Sequence, residues 1–265
     1  MVLESITLDV LTLDRMALLL AIIMVGTYFQ TVTGFGLGII VIGAATAFEL
    51  TSVAIMAAVV SLVTLANCAF ALPGSMKLVE WKSVRLVVIG VLPGVVAGVV
   101  LLEYLSHSAA SILQCLVGVM IVYSGLNVML RPAVRTERSG DTSFFVSGFS
   151  SGLTGGLFGM AGPPLVYQFY RQPFDIITIR NMLLVVFACT SASRSMFVGV
   201  QGQLNTDIWL LTAASLPIVT LTTYLGRRFP PPFSAETMRR IVFGLLMAIG
   251  IYLIFQSFGE MNVSG

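Results

Sequence analysis

Hydrophobic positions in this chain neither alternate nor recur on one helical face; they run on. Continuous apolar stretches occupy about residues 15–48, 50–72, 84–103, 110–130, 143–170, 176–199, 207–226 and 238–257. Each is long enough for at least one helical crossing of a hydrocarbon layer, which takes ~20 residues. The first and fifth are too long and too broken for a single helix. Thr33-Gly34-Phe35-Gly36-Leu37-Gly38 interrupts one, and Gly155-Gly156-Leu157-Phe158-Gly159-Met160-Ala161-Gly162-Pro163-Pro164 interrupts the other. Glycine at this density, with a proline pair that removes backbone donors, ends a helix. Eight stretches therefore predict about ten helical segments: an all-α polytopic membrane protein.

The pattern repeats at a spacing of 124 to 126 residues. Gly34 pairs with Gly159, Glu49 with Asp175, Met56 with Met182, Val59-Val60 with Val185-Val186, Leu92-Pro93 with Leu216-Pro217, and Gly118 with Gly244. Internal repeats are a building plan of secondary transporters. The spacing predicts two transmembrane repeats, 1–130 and 142–265, joined by a cytoplasmic linker at 131–141. Each repeat has an interrupted first segment followed by three helices.

Basic residues set the relative orientation of the halves. They cluster at Lys77, Lys82 and Arg85; at Arg131, Arg135 and Arg138; at Arg171 and Arg180; and at Arg227, Arg228, Arg239 and Arg240. Eight single crossings would split these clusters between the two faces, against the positive-inside rule. If each interrupted stretch goes in and comes back, twelve of the fourteen basic residues share the cytoplasmic face, leaving Arg15 and Arg194. The halves are then inverted, and Glu4, Asp9, Asp14, Glu49, Glu103, Asp207 and Glu260 collect outside. The acidic start lacks the basic region and cleavage site of a signal peptide, so the first apolar segment is expected to be retained.

Composition narrows the classes. Of 265 residues, 57% are hydrophobic and 10% charged, with mean hydropathy +0.98. A soluble enzyme domain carries about 25% charged residues, and nothing is left here to build one. His107 is the sole histidine, so His-based metal and triad chemistry is absent, and Cys68, Cys115 and Cys189 show no metal-ligand spacing. No catalytic residue, cofactor or metal is expected, and basic clusters at helix ends give no reason to invoke nucleic acid.

Paired Gly/Pro breaks in corresponding halves are the best sequence pointer to a transporter's site. Each break starts a half-helix near Gly38 or Pro164, whose free amides and positive dipole end favour an anion. Gly34, Gly36, Gly38, Gly159, Gly162 and Pro163 are the candidate backbone of that site; the competing role for the glycines is close helix packing. Arg194, the one basic residue well inside an apolar run, suits an anion held bidentately, or else snorkels to the outer interface. Gln30, Tyr167 and Tyr170 flank the breaks, while Asn67, Thr64, Thr190 and Ser191 supply neutral donors or bond their own helices. Glu49 and Asp175, at matching positions, are candidates for proton coupling or for helix capping.

The breaks Gly34-Phe35-Gly36-Leu37-Gly38 and Gly159-Met160-Ala161-Gly162-Pro163 resemble the glycine-rich signature of each half of the sulfite exporter TauE/SafE family. Leu37 interrupts the glycine run in the first half, and Ala161 and Pro163 replace glycines in the second. The resemblance implies an integral membrane transporter of a small anion, such as sulfite or an organosulfonate. Its partners are then the substrate and the lipid bilayer, with a homodimer left open. The alternatives are an anion channel, with the breaks as its filter, and a membrane scaffold without flux.

Overall fold

In the computed structural model, which describes residues 13–74, 76–108, 110–129, 134–229, 244 and 247–257, no strand occurs among those residues. The helices in chain order are α1 (Leu13–Thr33), α2 (Leu37–Ala47), α3 (Val53–Ala71), α4 (Trp81–Ser108), α5 (Ala110–Met129), α6 (Asp141–Phe158), α7 (Gly162–Tyr170), α8 (Ile176–Val200), α9 (Thr206–Arg228) and α10 (Met247–Ser257). Five of them, α1, α3, α4, α8 and α9, are long and apolar enough to cross a membrane. Glu4, Asp9, Arg131, Arg239, Arg240, Glu260 and the side chain of His107 lie outside the described residues.

Local chemistry fixes the helix ends. Gly34 and Gly36 hold φ of 89° and 113°, and Gly159 holds 68°, left-handed values that residues with a Cβ rarely adopt. These three positions separate α1 from α2 and α6 from α7. At 11 residues, α2 is roughly 16 Å long, about half a hydrocarbon layer, and nine-residue α7 is shorter still. The start of α7 differs from the expected Pro164: the helix begins at Gly162, because a proline with its preset φ fits the first turn of a helix, where no amide is yet needed. Elsewhere Ser52 caps α3 by accepting from the Ile55 amide at 3.3 Å, and Asn205 caps α9 by accepting from Ile208 at 3.0 Å.

Glycines on two helices form the closest seam in the bundle. Gly90, Gly94 and Gly98 on α4 face Gly148, Gly152 and Gly156 on α6, all at four-residue spacing. A Cβ at Gly90 would strike the Phe145 carbonyl oxygen, one at Gly94 that of Phe149, and one at Gly152 that of Val91. The helices therefore touch backbone to backbone, the arrangement that small-xxx-small patterns permit in membranes. A similar approach joins α5 to α10, where Gly118 meets Gly250.

The basic segments converge on one end of the bundle. Arg138 donates to the Ser83 hydroxyl at 3.0 Å and pairs with Asp141 at 2.7 Å. The Arg135 amide bonds the Arg171 carbonyl at 2.8 Å, and Arg227 donates to the Phe70 and Pro73 carbonyls at 2.6 and 3.3 Å. At the other end, Gln256 donates to Glu49 at 2.8 Å and Gln201 to Glu103 at 3.3 Å. Between the ends the outward surface is apolar: Ile89, Val96, Leu221 and Phe255 are all exposed. A bundle that shows water such faces is built for lipid.

Because the α4–α6 seam has no room for side chains, Gly94→Leu is expected to lower the stability of the detergent-solubilised protein by about 3 kcal/mol or more. Gly140→Ala, at an open position, should change it by less than about 1 kcal/mol. Thermal unfolding of both variants checks this.

Candidate functional site

The two breaks meet. A Cβ placed on Gly38, in the first turn of α2, would lie 2.9 Å from Met160 Cβ and 3.0 Å from the Gly159 carbonyl oxygen, and one on Gly162 would touch Ile39 at 3.6 Å. From this junction α2 runs toward the acidic end, and α7 toward the basic end. Both helices thus point their N-termini, the positive ends of their dipoles, at one place. A cavity lies there, lined by Gln30, Gly36, Gly38, Gly159, Gly162 and Arg194 among others. It leaves about 20 Å³ for the centre of a water-sized sphere, roughly the room for one water.

Donor supply at the junction is unequal. The first turn of α2 offers the amides of Leu37, Gly38 and Ile39, since Ile40 N already bonds the Gly36 carbonyl at 3.0 Å. Pro163 and Pro164 have no N–H, so α7 contributes fewer donors. The Ser151 hydroxyl bonds the Ala161 carbonyl and ties the second break to α6.

Arg194 closes the cavity from α8. Its side chain is 2% exposed, so the guanidinium is buried and does not snorkel to the surface. Nε donates to the Gly156 carbonyl at 3.0 Å, in the last turn of α6, where a cation suits the helix's negative end. One terminal nitrogen reaches the Ser61 hydroxyl at a long 3.5 Å. A guanidinium carries five N–H donors, so three are left without a protein acceptor, and no carboxylate pairs with it among the described residues. A buried charge in this state is costly unless something anionic completes it.

The other candidates fall into separate environments. Gly34 packs against Arg180, where a Cβ would meet the arginine Cγ at 2.9 Å; it does not line the cavity. Pro163 is buried in the first turn of α7. Tyr167 is half-buried under the Arg171 guanidinium, 5.0 Å from the ring centroid. Asn67 is fully buried and its amide is engaged: it donates to Thr31 and Thr223 at 2.8 Å each and accepts from Gln30 at 3.1 Å. That network links α1, α3 and α9. Glu49 and Asp175 are exposed and stand away from the cavity. Glu49 sits at φ 50° between α2 and α3 and leaves capping to Ser52, whereas Asp175 is the residue before α8 and makes no side-chain cap bond.

Three lining residues were not legible as site candidates: Ile39, Ser61 and Phe187. The signal was present in the repeat, because Phe187 lies 126 positions after Ser61 as Thr190 does after Thr64, and all four line the cavity.

Comparison with known proteins decides the class. The family model for sulfite exporter TauE/SafE matches residues 18–253. The chain belongs to the sulfite exporter TauE/SafE family. It is 53% identical over 234 residues to a protein of Cupriavidus necator (strain H16) named as a probable sulfite/organosulfonate exporter TauE, a match covering 88% of this chain and 91% of that one. No solved structure matches. The chain is accordingly a multi-pass membrane transporter and not an enzyme.

Asn67→Ala would take from Gln30, Thr31 and Thr223 their shared buried partner, and is expected to cost about 1–3 kcal/mol of stability. A thermal unfolding scan with and without sulfite checks it, the prediction being a lower melting temperature with the sulfite-induced shift retained.

Proposed function

We propose that the protein exports sulfite and small organosulfonates across the inner membrane, by alternating access around the junction of α2 and α7. The observation that carries this reading is the buried Arg194 guanidinium, short of acceptors, at a cavity toward which two helix N-termini point. An oxyanion supplies what the site lacks: its oxygens accept from the free guanidinium N–H groups in a bidentate fork and from the amides that begin α2. Neutral hydroxyls of Ser61, Thr64 and Thr190 surround it without adding a competing negative charge.

Alternating access rests on the two-fold plan of the chain, halves 1–130 and 142–265 with the linker 131–141 between them. Packing partners exchange with the halves: α1 lies on α9 as α6 lies on α4, α3 on α9 as α8 on α4, and α1 on α2 as α6 on α7. Such exchange is what an inverted repeat would produce, and rocking of one half against the other would open the junction to each side in turn. The narrowness of the cavity favours a carrier over a continuously open channel. The basic end, with Arg135, Arg138, Arg171 and Arg227, is then cytoplasmic.

Arg194→Ala is expected to remove sulfite-induced thermal stabilisation and to reduce efflux from proteoliposomes at least about tenfold, the loss of one charge-assisted bidentate contact. Arg194→Lys, which keeps the charge but not the fork, should retain partial binding. Unchanged sulfite affinity in a folded Arg194→Ala protein would overturn the assignment. Gly159→Leu, whose Cβ would fall 2.8 Å from the Ala57 carbonyl oxygen in a left-handed backbone, should stop efflux while the protein still inserts in the membrane.

A further inference from the structure

Arg194 has a second exposure. It also lines a cavity of about 300 Å³ on the far side from the α2–α7 junction. Ends of α3, α4, α8 and α9 surround this space. Its walls are apolar, from the buried Ala58, Val99, Val198 and Ile208, and its rim is polar, from the exposed Glu103 and Asn205. All of these helix ends lie at the acidic end of the bundle, opposite the arginine-rich one. The two spaces differ in size: the junction cavity is narrow, about 20 Å³, whereas about 300 Å³ has room for the body of a small organic molecule.

We propose that the larger cavity is the outer station of the transport path, and that it takes the organic body of a small alkyl sulfonate whose sulfonate group rests on Arg194. This rests on the reading of Arg194 as the anion's partner and adds a route to it. Arg194 is the single residue that lines both cavities, so an anion passing from the junction to the outside keeps to the same cationic side chain. The apolar walls match a short carbon chain and offer nothing to a bare inorganic oxyanion. Glu103, exposed at the rim, accepts from Gln201 at 3.3 Å and makes no ion pair with Arg194 among the described residues.

The test uses Val198→Cys, one turn from Arg194 and inside the cavity. Right-side-out membrane vesicles are exposed to two thiol reagents, the anionic sulfonatoethyl and the cationic trimethylammonioethyl methanethiosulfonate. Labelling is measured above that of the parent chain, whose Cys68 is buried and whose Cys115 and Cys189 are half-buried. With each rate divided by that reagent's rate on a free thiol, the anionic reagent should be favoured about tenfold, the expected pull of one nearby cation. Arg194→Gln should bring the ratio near one, and methanesulfonate should protect the cysteine in the parent background. If Val198→Cys fails to match the parent's unfolding temperature, Ala58→Cys replaces it.

Absence of labelling above the parent overturns the outer station and leaves sulfite binding by Arg194 standing. Labelling whose charge ratio is near one, or is unmoved by Arg194→Gln, overturns it as well, since the space is then a solvent crevice. Anion-selective, methanesulfonate-protected labelling supports the station. Should that result accompany unchanged sulfite affinity in Arg194→Ala, the station holds and the reading of the junction fails.

Discussion

A backbone amide or carbonyl without a partner in hydrocarbon costs several kcal/mol, and the rest of this structure follows from where the chain allows itself that risk. Two interruptions leave backbone groups without helical partners inside the bundle, after Thr33 and after Phe158. Both are turned inward, against each other, with α3 and α8 beside them. The Thr33 hydroxyl, 2.9 Å from the carbonyl oxygens of Phe29 and Phe35, and the Ser151 hydroxyl on the Ala161 carbonyl are the local repairs that let each break persist.

Enclosing the breaks requires the outer helices to come close. Six glycines along the α4–α6 seam remove the side chains that would keep those helices apart, and they place the Gly156 carbonyl where Arg194 reaches it. One set of small residues therefore has two consequences. It satisfies packing in a medium that gives helices no hydrophobic reason to associate, and it anchors the guanidinium through Nε while three of its five N–H groups are left without a protein acceptor. Full ion pairing would make Arg194 inert. Under the proposed function, its incomplete partnering keeps it available to an incoming anion, at the cost of burying a charge without a carboxylate partner.

The polar groups near the breaks divide by function. Asn67 gives both amide hydrogens, to Thr31 and Thr223, and accepts from Gln30, a network that ties α1, α3 and α9 together. Ser61, Thr64 and Thr190 line the cavity, with Ser61 and Thr190 donating to carbonyls of their own helices and Ser61 also accepting from Arg194. Glu49 and Asp175 lie at helix ends in water, outside both groups.

The sequence alone determined the membrane class, the two interruptions, the repeat spacing and the segregation of basic residues. Each is a local or periodic property: hydrocarbon demands long apolar runs, and only glycine accepts the backbone angles at positions 34, 36 and 159. Tertiary structure decided what those features do. Gly156 reads in the sequence as part of the second break, yet it lies within α6 in the packing seam against α4, a difference set by the facing helix. Asn67 reads like Thr64 in the sequence, yet one is consumed by neighbours 36 and 156 positions away and the other borders the cavity. Arg194 had two readings, surface or interior, because a long side chain on a helix can turn either way; burial against Gly156 chose the interior. Contacts between distant segments are not encoded by any local pattern, so which polar side chain is spent on the fold and which is left for a ligand emerges only when the helices are assembled.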